Sequence, residues 1–222
     1  MTPRKRTSPA GGKFIVVEGI DGAGTTTQSA LLRDALERAG AECSLTREPT
    51  GGPIGKLIRN FLEKKIDPLR DVYCDEKAER DVLSLLFTAD RLDHLQREIE
   101  PALAIGRHVV SDRYYHSTFA YQMKSSAHLK WLVEMNSAAR TPDLTFFIDL
   151  PPAAALERME SRGRKDLFET SEQLRRIRAA YKLAIRELSE RGHRIVVING
   201  RRSIDEIHSE MIAETSRVIG LD

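Results

Sequence analysis

Phe14-Ile-Val-Val-Glu-Gly19-Ile20-Asp21-Gly22-Ala23-Gly24-Thr25-Thr26-Thr-Gln28 is the stretch on which the fold turns. An apolar run passes into a glycine-rich turn, and a helix-forming segment follows. Gly19, Gly24 and Thr26 stand at P-loop spacing, so backbone N–H groups from Gly19 through Ile20, Asp21, Gly22, Ala23, Gly24 and Thr25 to Thr26 can cradle nucleotide phosphates. The N-terminal end of the following helix adds its partial positive charge. Thr26 takes the hydroxyl position that normally meets magnesium. Thr25 takes the position of the phosphate-binding lysine, so one positive charge is missing from the pattern. Read alone, the same residues also fit a plain glycine turn joining a strand to a helix.

The segments around the loop repeat its strand-then-helix order. Apolar runs predict strands at Phe14–Glu18, Cys43–Arg47, His108–Asp112, Leu144–Leu150 and Arg194–Asn199. All but the second are nearly continuous, as parallel strands covered on both faces are. A helix over Thr26–Ala39 aligns Leu31, Leu32, Ala35, Leu36 and Ala39 on one stripe and stops at Gly40. Further helices are predicted at Ile54–Leu62, Glu76–Ala104, Ala127–Ala139, Ala153–Arg162, Ser171–Arg191 and Ile204–Ile219. Strands alternating with helices specify an α/β fold, a doubly wound parallel five-stranded sheet with helices on both faces. No repeat, linker or second domain interrupts it.

The 222 residues, 41% of them hydrophobic, suit a single domain with a sizeable core. No run of about eighteen apolar residues offers a membrane span. Residues 1–12 read as a disordered basic tail without the apolar centre of a secretory signal. The net charge is +2, and setting aside the four positives Arg4, Lys5, Arg6 and Lys13 leaves −2 on the rest. The folded part therefore has no basic face for nucleic acid. Cys43 and Cys74 stand far apart and outside any Cys-x-x-Cys spacing, which implies neither a disulfide framework nor a zinc site. The expected compartment is the cytoplasm.

Several other segments carry chemistry. Arg47-Glu48-Pro49-Thr50-Gly51-Gly52 follows the second strand at the sheet's carboxyl edge, where open α/β sheets bind ligands. Phe87 and Arg91 are one helical turn apart, so an aromatic face and a guanidinium can meet one base, although Phe87 alone reads as core. Asp112 and Arg113 end the third strand as a magnesium partner and a phosphate clamp, or as a buried ion pair. Ser117, Thr118, Tyr121 and Gln122 follow with hydroxyl, amide and flat aromatic groups, although the segment alone reads as an ordinary helix start. Arg158, Arg162, Arg164 and Lys165 surround Gly163, a pattern that fits a phosphate-closing lid or a solvated loop.

In this order and spacing the segments resemble the bacterial thymidylate kinase (dTMP kinase) family from Phe14 to the C-terminus. The pieces that carry the resemblance are Glu18-Gly-Ile-Asp21-Gly-Ala-Gly24, Thr46-Arg-Glu-Pro49, Ser111-Asp-Arg-Tyr114 with Ala120-Tyr-Gln122, and Pro142-Asp-Leu-Thr145. It implies a P-loop NTPase and nucleotide kinase architecture, with residues 13–222 forming one kinase domain and a lid around 158–170. It also implies transfer of the γ-phosphoryl group of ATP to dTMP with magnesium (Mg2+), giving dTDP. Carried over position by position, Gly19 to Thr26 hold the donor phosphates, and Asp21 approaches the acceptor sugar hydroxyl or the metal. Phe87 stacks on thymine and Arg91 donates to its O4. Arg113 holds the acceptor phosphate, and Thr26 and Asp112 lie at the metal. Tyr121 crowds the sugar's 2′ position, Thr118 and Gln122 contact the base, and Glu48 and Ser117 complete the acceptor site. A homodimer through the apolar face of the third helix is implied as well.

Two positions depart from the family pattern. Thr25 replaces the loop lysine, and the lid reads Asp166-Leu167-Phe168-Glu169 where members often have Asp-Arg ahead of an apolar residue and Glu. Arg162 or Arg164 is accordingly expected to supply the missing charge when the lid closes. The alternatives are a catalytically impaired nucleotide-binding regulator, favoured by Thr25, and a related kinase with another acceptor, disfavoured by Phe87, Arg91, Tyr121 and Gln122.

Overall fold

A computed structural model describes residues 11–63, 65, 76–161 and 170–221. Along the chain lie β1 (Phe14–Gly19), α1 (Thr25–Arg38), β2 (Cys43–Arg47), α2 (Pro53–Leu62) and α3 (Glu76–His94). A π-helical turn at Leu95–Ile99 leads into α4 (Glu100–Ala104), followed by β3 (His108–Asp112), α5 (Tyr115–Gln122) and α6 (Ser126–Met135). The remaining elements are β4 (Leu144–Asp149), α7 (Pro152–Ser161), α8 (Ser171–Glu190), β5 (Ile195–Asn199) and α9 (Ile204–Ile219). All strands pair in parallel in the order β2-β3-β1-β4-β5, which is the predicted doubly wound sheet.

β1 is the central strand and feeds both layers of core. Ile15 and Val17 point into one buried cluster, with Leu32, Phe146, Tyr181 and Ile207. Phe14 and Val16 point into the other, with Ile99, Tyr114, Phe119 and Leu132. That two-sided burial is why the strand carries no polar alternation. Its one charged residue, Glu18, is buried too, and the site depends on it.

Two differences from the predicted elements have physical causes. The helix predicted to run unbroken over Glu76–Ala104 contains the π turn, whose i→i+5 bond runs from the Glu100 N–H to the Leu95 carbonyl. The helix start read at Ser117–Gln122 belongs to α5, which buries Tyr115, His116, Thr118, Phe119, Ala120 and Gln122. Helix α6 stops at Met135, ahead of the predicted Ala139, where Asn136 leaves the helical conformation and its side-chain amide donates to the Leu132 carbonyl at 2.8 Å. Of the segment read as a tail, residues 1–10 lie outside the described residues, whereas Gly12 is fixed. Its N–H donates to the Leu103 carbonyl at 2.9 Å, and a Cβ there would lie 2.0 Å from the Arg107 carbonyl oxygen.

Candidate active site

The carboxyl ends of β1 and β3 open a crevice with two adjoining cavities. The first, about 390 Å³, lies over the glycine loop and is lined by Ile20, Asp21, Gly22, Gly24, Thr25, Thr26 and Arg113, among others. Gly22 and Gly24 have φ of 83° and 94°, a region that side chains other than glycine rarely enter. A Cβ on Gly22 would press to 2.6 Å of the Ala155 carbonyl oxygen, whereas one on Gly24 would project into open space. Gly24 also starts α1 with no side-chain cap, so the helix presents bare N–H groups to whatever lies in the loop. Thr25 is buried as the first residue of α1, while Thr26 beside it is exposed.

Thr26 Oγ1 donates to Asp112 Oδ2 at 2.6 Å, joining the helix start to the end of β3. Asp112 Oδ1 is buried with no hydrogen-bond partner among the described residues. A hydroxyl and a half-satisfied carboxylate at a phosphate loop are the oxygen donors a hard divalent cation takes, so these residues fit magnesium. No group of three or more His, Cys, Asp or Glu among the described residues could hold a metal by itself. Phosphate and water would have to supply the remaining ligands.

The second cavity, about 350 Å³, is lined by Asp21, Glu48, Phe87, Arg91, Arg113, Ser117, Thr118, Tyr121 and Gln122, together with Pro49, Leu62 and Tyr114. Every acceptor-side residue predicted from sequence thus faces one space. Arg91 is 1% exposed. Its guanidinium donates to Glu48 Oε2 at 2.7 Å, Asn136 Oδ1 at 2.5 Å and Thr118 Oγ1 at 3.0 Å. Glu48 is also met by His94 Nδ1 at 3.3 Å, and Thr46 Oγ1 lies 2.7 Å from His94 Nε2. The loop after β2 is clamped by Asp90, which accepts from the Thr50 N–H at 2.7 Å and the Thr50 hydroxyl at 2.6 Å. Such paired burial keeps a desolvated cation in place beneath the cavity.

Asp21 and Arg113 line both cavities, and they are ion-paired at 2.5 Å. Arg113 has φ 75°, the one positive φ at a residue other than glycine among those described. Such a strained backbone is characteristic of functional sites. The Ser111 hydroxyl holds it by donating to the Arg113 carbonyl at 2.7 Å. Tyr121 lies against the guanidinium, whose Cζ is 5.5 Å from the ring centroid. Burial opposes the Arg113 charge, but Tyr121, Tyr181, Asp21 and Glu18 hold its pKa well above the ordinary value.

Sequence reasoning missed four supporting side chains: Glu18, His94, Asn136 and Tyr181. A charged residue inside an apolar strand marked Glu18, and a polar residue on the inner stripe of α3 marked His94. Nothing local marked Asn136 or Tyr181. The predicted lid residues Arg162, Arg164 and Lys165 lie outside the described residues. Arg158 is described, and its guanidinium donates to the Gly200 carbonyl at 2.8 Å. The apolar face offered for a dimer is partly used within the chain: Leu83 and Leu86 pack on Ile58 and Phe61.

A model of the thymidylate kinase family matches residues 17–211, from the middle of β1 into α9. The chain belongs to the thymidylate kinase family. It is 39% identical over 203 residues to a probable thymidylate kinase of Pyrococcus horikoshii, covering 91% of this chain and 95% of that one. It is 37% identical over 208 residues to a probable thymidylate kinase of Thermococcus kodakarensis, covering 93% and 98%. A thymidylate kinase of Ruegeria pomeroyi is 41% identical over 206 residues, covering 90% and 92%. Relatives in this family therefore come from archaea as well as bacteria. No described helix is long and apolar enough to cross a membrane.

Proposed function

We infer that this thymidylate kinase family member phosphorylates dTMP to dTDP with ATP, and that Asp21 and Arg113 stand where the phosphoryl group crosses. The observation that carries this reading is that this one ion pair lines both cavities, so a donor over the loop and an acceptor beside Arg91 would meet there. The loop N–H groups and the start of α1 take the donor phosphates. Arg113 holds the acceptor phosphate and Asp21 aligns it. Phe87 covers the base face, and Arg91, Thr118 and Gln122 meet its edge. Tyr121 limits the room at the sugar. Thr26 and Asp112 would hold magnesium, which neutralises charge on the phosphates when bound.

Thr25 leaves the loop without its lysine. We assign the missing charge to Arg162 or Arg164 in the segment around 158–170, which would act as the lid of the single domain. If Arg162→Ala and Arg164→Ala each leave turnover within a few-fold of the parent, that assignment fails. Homodimerisation through the outer side of α3 is supported by Leu85 and Leu92, exposed at 51% and 38%. Light scattering on the purified chain tests it. A cytoplasmic site of action fits the nucleotide substrates.

The deciding assay measures ADP formation with ATP, magnesium and dTMP, beside dUMP, dCMP, AMP and no acceptor. Turnover of about 1–100 s⁻¹ with dTMP preferred is expected. Nucleotide binding without acceptor-dependent turnover would sink the reading and favour a regulator.

A further inference from the structure

Arg113 reaches the buried Glu18 only through two hydroxyl groups. Its Nη1 donates to Ser117 Oγ at 3.1 Å and to Tyr181 Oη at 3.4 Å. Both hydroxyls lie against Glu18 Oε2, Ser117 at 2.7 Å and Tyr181 at 2.9 Å. Each hydroxyl has one proton to give, and the two oxygens also lie 2.9 Å from each other. The carboxylate is the strongest acceptor within reach, so both protons go to Glu18 and each hydroxyl accepts from Arg113, which can only donate. The other carboxylate oxygen, Oε1, is filled by the Tyr114 N–H at 2.8 Å and the Ser117 N–H at 3.2 Å. Glu18 cannot rotate away without losing these donors.

Tyr181 is fully buried and comes from the middle of α8, far along the chain. Its hydroxyl also lies 3.2 Å from the carbonyl of Gly19, the first glycine of the loop. One atom thus touches the loop, the buried carboxylate and the arginine shared by both cavities. Packing alone would be served by phenylalanine, since the ring stacks beside Phe147 with centroids 5.0 Å apart. Burial, with Glu18 beside it, raises the Tyr181 hydroxyl well above its ordinary pKa, so it stays a donor throughout the working range.

We propose that Tyr181 is a positioning residue: with Ser117 it forms a hydroxyl bridge that tethers Arg113 to Glu18 and aims its guanidinium at the acceptor phosphate. The assignment deepens the kinase reading and rests on it. A tether through neutral groups holds direction without cancelling charge, as a direct Glu18–Arg113 pair would. Arg113 keeps one nitrogen, Nη1, on the bridge and the other, Nη2, on Asp21. Incoming phosphate can replace Asp21 as partner while the bridge stays made.

Tyr181→Phe in the full chain tests this, because the ring remains and only the hydroxyl is lost. KM for dTMP should rise about tenfold, the scale of one hydrogen bond to a charged group. KM for ATP should stay within about twofold of the parent, on the same free-energy scale. Equal rises in both KM values, or no rise in either, would overturn the assignment and leave Tyr181 a packing residue. Ser117→Ala should produce the same acceptor-only effect. The double variant should fall short of the product of the two, since both hydroxyls serve one nitrogen. A multiplicative double variant would mean two independent roles. Should Tyr181→Phe fail to fold, equilibrium dTMP binding by Ser117→Ala decides on the same terms. A parent chain with no dTMP-dependent turnover would defeat the kinase reading itself, a result separate from a turning-over parent with an indifferent Tyr181→Phe.

Discussion

The two cavities of the crevice are built by opposite means. Around the second cavity, charged side chains are held before any ligand arrives: Arg91, fully buried, by Glu48, Asn136 and Thr118, and Arg113, half-buried, by Asp21, Ser117 and Tyr181. At the loop, backbone does the work. Glycines, a helix start and an exposed Thr26 surround the space, and Arg113 is the one cation among the described residues lining it. The second cavity is therefore lined by side chains anchored in the folded core, whereas backbone and an exposed hydroxyl shape the first. The contrast also separates stability from activity, because a core-built site cannot be altered without disturbing the core.

Arg91→Met should break the contrast hardest, because Glu48 would be left buried and unpaired. A loss of about 3–5 kcal/mol in stability is expected, measured by denaturant unfolding. A variant as stable as the parent would show that the acceptor charges are not core-built. Arg113→Ala comes next, with turnover expected to fall about 10²–10³-fold from loss of one preorganised donor. Thr26→Ala should cost about 10-fold to 100-fold in activity if Thr26 holds the metal, with a fall in melting temperature smaller than that of Arg91→Met, since it removes one hydrogen bond to Asp112. A fall as large as that of Arg91→Met would erase the distinction between the two cavities.

Acid titration sharpens the same comparison more gently. Burial alone would raise the Glu18 carboxyl, but His116, Arg113 and Ser117 hold it below its ordinary value. A carboxyl lowered in the folded state contributes stability that is present above its unfolded pKa and lost as pH falls through the folded one. The melting-temperature gap between the parent and Glu18→Gln should therefore narrow from pH 7 to about pH 3, a range that spans ordinary carboxylate values. Parallel curves would remove Glu18 from the electrostatic core. Thr25→Lys should do least, shifting turnover by less than about tenfold if the lid supplies the charge. A gain above about 100-fold, the scale of a restored donor, would show that the loop is defective as it stands.

What could be read ahead of the structure follows from which residues the backbone itself dictates. The loop was legible because positive φ at Gly22 and Gly24 leaves little choice of residue, and the strands because two-sided burial demands unbroken apolar runs. The side chains assigned to the acceptor were legible as a motif, and they line one cavity. Their supports were not. Asn136 meets Arg91 across 45 residues and Tyr181 meets Glu18 across 163, pairings that exist only once α6 and α8 have docked.

The π turn at Leu95–Ile99 gives that part of the chain slack in residue number. With a hydrogen bond spanning five residues, the turn holds one residue more than an α-helix would over the same span. Deleting one of the five would let the helix run on as α, with Arg91 and Leu103 close to their places. A deletion elsewhere in α3 has no such reserve. Everything beyond it would rotate by about 100° and shift by about 1.5 Å, carrying Leu103 out of the core and β3, with Asp112 at its tip, out of step with β1. Single deletions should therefore be absorbed inside the turn and disrupt the fold one turn earlier.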